Sequence, residues 1–144
     1  MNEQNYANHR RYSKGYHLLL SSLLFIGTIG SIVNIVRHKP YDGGFMAAVL
    51  ITLLFICAML IYYFMRTFPL KAQDRAIRAE ESLRYFILTR KAIDSSLSIG
   101  QIVALRFAPD DEILPLVDRA VAEKLSADDI KKAIKNWKSD YHRV

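Results

Sequence analysis

The stretch that decides the fold is Leu18–Val36, LLLSSLLFIGTIGSIVNIV, which carries no charged side chain. A second run, Phe45–Met65, reads FMAAVLITLLFICAMLIYYFM and is equally free of charge. At the α-helical rise these runs measure about 28 Å and about 31 Å. A bilayer core is about 30 Å thick. In lipid every backbone amide must bond within its own segment, so each run is expected to be one membrane-spanning helix. Between them, Arg37-His-Lys-Pro-Tyr-Asp-Gly-Gly44 reads as a turn. Pro40 breaks the helix, and Gly43-Gly44 permits a tight reversal. The expected product is an antiparallel hairpin.

A cleaved signal peptide is the rival for the first run, because Arg10, Arg11 and Lys14 precede it. The run is too long for an ordinary signal core, and Asn34-Ile-Val-Arg37 is a poor cleavage sequence. A buried hairpin of a soluble protein is the other rival. The aromatic and basic residues at the ends of both runs argue against it.

Working outward, the chain of 144 residues is 51% hydrophobic and 24% charged, averages that conceal two apolar spans in a polar remainder. The net charge of +6 is explained most simply by an anionic membrane surface. The single cysteine, Cys57, lies within the second run and excludes an intrachain disulfide or a paired-cysteine metal site. Lysine and arginine counts set the orientation. Arg10, Arg11 and Lys14 precede the first span, Arg37 and Lys39 lie in the loop, and Arg66, Lys71, Arg75, Arg78 and Arg84 follow the second. Both ends are therefore expected in the cytoplasm. The segments are a tail (1–17), a first span (18–36), an external turn (37–44), a second span (45–65) and a cytoplasmic helical domain (66–144).

Gly27, Gly30, Ser31 and Asn34 share one face of the first span, and Ala48 and Thr52 offer a small pair on the second. Such residues allow close helix approach, within the hairpin or towards another membrane subunit or copy. Neither span holds an ionisable group, which argues against a transporter or proton relay.

Beyond the spans, Pro69 either starts a new helix or kinks the old one. Ala72, Ala76, Ala79, Leu83 and Phe86 then form a helical stripe. It is expected to receive the protein's own C-terminal helices or, failing that, another copy. Three short helices follow. Ser98-Ile-Gly-Gln101 is a capping-box pattern. Asp110-Asp111-Glu112 suits a helix N-terminus without any metal, and Ser126-Ala-Asp-Asp129 opens a last helix through Ile130, Ala133, Ile134 and Trp137. One face of that helix is expected to carry Lys131, Lys135 and Lys138, with Lys132 beside it. These lysines are read mainly as a solvated face, with a lipid or partner surface as the sharper alternative. No nucleic-acid partner is expected.

The sequence has no phosphate-binding glycine loop, nucleophile elbow, zinc-protease helix or paired-cysteine motif. His9, His17, His38 and His142 are scattered. No catalytic, metal-binding or cofactor-binding residue is assigned, and the chain is not expected to be an enzyme.

Gln4-Asn-Tyr-Ala-Asn-His9, Gly100-Gln-Ile-Val-Ala-Leu-Arg-Phe107 and Ile134-Lys-Asn-Trp-Lys-Ser-Asp-Tyr141, with the two spans and Gln73-Asp-Arg75, resemble a family of uncharacterised bacterial two-span membrane proteins. The resemblance implies a bacterial inner-membrane location and carries no activity. With both tails on one side, Asn5, Tyr6 and His9 are expected to pack against Trp137 and Tyr141 or against the helix after the second span. A solvated or locally hydrogen-bonded tail is the plainer alternative for His9. The fold expected is all-α: a transmembrane helical hairpin, a juxtamembrane amphipathic helix and a small bundle of short helices. The expected role is an accessory or scaffold subunit in the lipid bilayer. The alternative is a stand-alone regulatory module that binds an anionic lipid surface.

Overall fold

A computed structural model describes residues 4–9 and 12–140. Tyr141 and His142 lie outside the described residues, as do Arg10 and Arg11. Within them the chain is all helical. It forms two compact units, 12–68 and 4–9 with 69–140.

The first unit is a helical hairpin. Helix α1 covers Gly15–Arg37 and opens with a π-helical stretch over Gly15–Leu20. Helix α2 covers Phe45–Thr89 and supplies the second arm. Both helices are long and apolar enough to cross a membrane, and only 6% of each apolar window is buried. A core helix of a soluble protein would bury most of such a window. Tyr16 stacks on Tyr62 with centroids 4.4 Å apart, and its hydroxyl donates to the Tyr62 carbonyl. Phe55 lies against Gly27 so closely that a methyl group there would overlap the ring. These two pairs fix the arms as antiparallel.

The seam is apolar and small. Ser31, Ala48 and Thr52 are buried, and Asn34 is half-buried. Gly30 faces open space and takes no part in this packing. The Ser31 hydroxyl donates to Thr28 O and the Thr52 hydroxyl to Ala48 O. Each bond returns to its own helix, so these hydroxyls leave the seam to van der Waals packing. In the turn, the left-handed residue is Tyr41, at φ 81°, while neither Gly43 nor Gly44 has a positive φ. Gly44 instead makes room for His38, whose ring would lie 2.7 Å from an added Cβ.

The second unit begins inside α2. Pro69 neither starts nor ends a helix, because α2 runs through it. The expected stripe is not the covered face: Ala72, Ala76, Ala79, Leu83 and Phe86 are all exposed. The helix turns Ile77, Glu81, Arg84 and Tyr85 inward. Tyr85 packs on the core. Arg84 donates to Glu81 (3.0 Å), to Asp110 (2.6 Å) and to the Ala108 carbonyl (2.9 Å). Charge-assisted bonds of this kind outweigh the small area that alanines could bury. Helix α2 ends where Arg90 adopts φ 60°.

Helix α3 (Ile99–Leu105) starts with the complete Ser98–Gln101 capping box. Helix α4 (Asp110–Ala122) has Pro109 at its N-cap, so none of its three acidic residues caps it through a side chain. They occupy the first turn, where the macrodipole favours them. Helix α5 (Ala127–Ala133) is capped by Ser126, which accepts from Asp129 N. The core lies among these three helices. Phe107, Ile102, Leu105, Ile113 and Ile130 are its largest fully buried side chains.

The expected run of α5 to Trp137 does not occur. The helix stops at Ala133, and Ile134 is extended, with ψ 125°. Glu112 is the physical reason. Its carboxylate accepts from Lys135 N (2.9 Å), Asn136 N (3.0 Å) and Asn136 Nδ2 (2.7 Å). Those backbone N–H groups are thereby taken from helical partners. The chain then crosses back so that Lys138 N donates to Phe107 O at 2.8 Å.

Candidate functional site

The crossing segment 134–140 builds a docking place for the N-terminal tail. Asn5 makes a tight local turn, its side-chain oxygen accepting from Ala7 N (2.9 Å) and Asn8 N (3.2 Å). Short polar side chains favour such turns. The turn presents Tyr6 and His9 together. Their rings stack at 5.9 Å.

His9 is 7% exposed. Its ring meets Phe107 edge-on at 5.9 Å and Trp137 at 5.7 Å, and these two lie 4.8 Å from each other. His9 Nδ1 lies 2.6 Å from Tyr6 O, and Nε2 lies 3.4 Å from Lys131 Nζ. A carbonyl only accepts and an ammonium only donates. The geometry therefore assigns the proton to Nδ1 and the lone pair to Nε2.

The remaining ties are polar. The Tyr6 hydroxyl donates to Asp128 at 2.9 Å, and Lys132 reaches the same carboxylate at 2.9 Å. Lys132 and Tyr6 hold the Asp128 carboxyl below its ordinary range, and Asp128 in turn raises the Tyr6 hydroxyl. Gln4 Oε1 accepts from Asp140 N at 2.7 Å. The Arg106 guanidinium, 8% exposed, lies over the Phe107 ring at 4.6 Å and 3.4 Å from Asp140. Burial pulls Arg106 below its ordinary value, and Asp140 works against that pull.

The tail residues Asn5, Tyr6 and His9 thus lie in one unit with Trp137. Sequence reading missed Phe107, Asp128 and Lys131 as their partners, and Gln4 as the partner of Asp140. The only signal available was that Phe107 ends one quoted motif and Gln4 begins another. His9 is not solvated, although the local hydrogen bond of that alternative is present, between Nδ1 and Tyr6 O. The lysines do not share one helix face. Lys131 and Lys132 lie on α5 and face the tail, while Lys135 and Lys138 fall beyond the helix.

Lys138 lines an open pocket of about 360 Å³ with Gln73, Glu80, Glu81, Arg106 and Asp140. Its walls carry both charge signs. Among the described residues no group of three or more histidine, cysteine, aspartate or glutamate side chains could hold a metal ion. The site ties the two ends of the chain together through aromatic packing and charge-assisted bonds.

A family model described as a family of unknown function, DUF6526, matches residues 1–144. The chain belongs to this family. The three motifs that suggested a resemblance, around His9, Phe107 and Trp137, are the ones that meet at the tail site. No curated protein and no solved structure matches the chain.

Proposed function

We propose that this protein is a non-enzymatic component of the bacterial inner membrane, an accessory or scaffold subunit with both ends in the cytoplasm. One observation carries the reading. Residues 4–9 and 69–140 form a single unit, held by the Tyr6–Asp128, Gln4–Asp140 and His9–Trp137 contacts. Segments folded together lie on the same side of a bilayer, and an even number of crossings between them follows. The exposed apolar surface of the hairpin supports lipid as its surroundings. Basic residues beside the second span support a cytoplasmic placement of that unit.

The closed unit also leaves an apolar stripe on α2 uncovered, from Ala72 to Phe86. Such a face suits docking rather than chemistry. The stand-alone lipid-surface reading gains less, since Lys131 and Lys132 are engaged with the tail and Asp128.

The test has two parts. A reporter fused at either end should read as cytoplasmic, and a periplasmic reading at the C-terminal end overturns the topology. Purification from bacterial membranes in mild detergent should retain specific membrane proteins, and Ala79→Glu on the stripe should release them. A chain that purifies alone and binds only anionic vesicles overturns the scaffold role.

A further inference from the structure

The exposed stripe on α2 has a spacing of its own. Ala72, Ala76, Ala79, Leu83 and Phe86 follow one another at intervals of four, three, four and three. This is the 3.5-residue repeat of a coiled-coil seam, narrower than the face a helix turns to a globular core. The globular core is already served by the other face, through Ile77, Glu81, Arg84 and Tyr85. Ala76 and Glu80 also border the open pocket beside Arg106 and Lys138, yet all five stripe residues remain exposed, and an exposed seam repeat calls for another helix.

The flanking charges say which helix. With Ala72, Ala79 and Phe86 at d and Ala76 and Leu83 at a, Arg75 falls at g and Glu80 at the following e. Both are exposed. In a parallel pair the g residue of one helix meets the e residue five positions on in its partner. Arg75 of each copy then faces Glu80 of the other, twice by symmetry. An antiparallel pair centred on Ala79 would set Glu80 against Glu80 of the second copy. The seam is therefore self-complementary in the parallel sense. Two copies inserted with the same topology in one membrane present α2 in that sense. The alanines let the helices approach closely, and Leu83 and Phe86 with the adjacent Ile87 supply bulk at the far end. Two heptads are short for a coiled coil in water. Anchorage in one membrane supplies the effective concentration that offsets this.

We propose that two copies of this chain pair in parallel through the Ala72–Phe86 face of α2, with Arg75 of each against Glu80 of the other. The proposal rests on the membrane scaffold reading and names a partner for it.

The test is cysteine cross-linking of the full chain in native membranes, on a Cys57→Ser background. Single cysteines at positions 72, 76, 79, 83 and 86 should form disulfide-linked dimers, and cysteines at 74, 78 and 81 should not. Glu80→Arg should lower cross-linking at position 79 about fivefold, as should Arg75→Glu, and the double exchange should restore it. Emission of Trp137, the sole tryptophan, reports that each variant keeps its fold. Cross-linking that is absent, or that follows another face, in variants with native emission overturns the pairing. If membrane partners are still captured and still lost with Ala79→Glu, the scaffold reading stands without the pairing. If the dimer forms and no other partner depends on the stripe, the pairing stands and the accessory role falls.

Discussion

Replacing Glu112 by alanine removes the acceptor that ends α5. The carboxylate holds two backbone N–H groups and one side-chain amide of the crossing segment, at 2.7–3.0 Å. A hydrogen bond to a charged acceptor contributes about 1.5–3 kcal/mol when its donor has no substitute partner. Lys135 and Asn136 are exposed and can turn to water, so a lower figure applies, and the three together contribute about 2 kcal/mol. For a domain of 60–100 residues, 1 kcal/mol shifts the melting midpoint by about 4–8 °C. Glu112→Ala should thus lower the midpoint of the helical unit by about 10 °C. Trp137 follows directly after these bonds and packs on Phe107 and His9. Its emission should shift to the red in the variant before any loss of helix by circular dichroism. The assay is thermal melting in mild detergent, followed by both signals. A midpoint within 2 °C of the parent, with unchanged emission, would refute the argument that Glu112 sets the path of residues 134–140.

The same group predicts an acid response. The N–H groups of Lys135 and Asn136 hold the Glu112 carboxyl below its ordinary range. A depressed folded-state value gives stability that is present above the unfolded-state value and lost as pH falls through the folded one. Glu112→Gln should flatten that part of the acid limb in a pH series of melts, and an unaltered limb would count against it. Arg84→Ala should cost about 3 kcal/mol in chemical denaturation, because it strands the Glu81 carboxylate at 7% exposure; Glu81→Leu with Arg84→Met should recover most of the loss. Gly27→Leu should separate the hairpin arms at Phe55, whereas Gly30→Leu, facing open space, should not. Bifunctional cross-linking of cysteines placed at 16 and 62 on a Cys57→Ser background distinguishes the two, and equal yields in both variants would argue against the seam.

The hairpin was legible because a charge-free run of bilayer length has few other outcomes. The capping box at Ser98 and the cap at Ser126 were legible because they are local, set by residues three apart. The covered face of α2 was not. Periodicity identified an apolar stripe correctly but could not reveal that Arg84 reaches Asp110 and Ala108, far along the chain. The end of α5 escaped for the same reason, since its helical pattern continues to Trp137 and only Glu112, from α4, interrupts it. In the turn, the tight reversal was credited to Gly43 and Gly44, whereas the left-handed residue is Tyr41. The tail site was half legible: Tyr6, His9 and Trp137 stood out as chemistry without an obvious use. Their meeting point at Phe107 is a product of tertiary packing alone.

The joining of the two ends has a consequence for how the protein is made. Residues 4–9 leave the ribosome well before their partners Phe107, Asp128 and Trp137. Both arms of the hairpin must be synthesised in between. Tyr6 and His9 therefore stay without these partners until residues 134–140 cross over Phe107. Closing the clasp is thus a late step of folding, open to the chain only once residues 107–140 have been made.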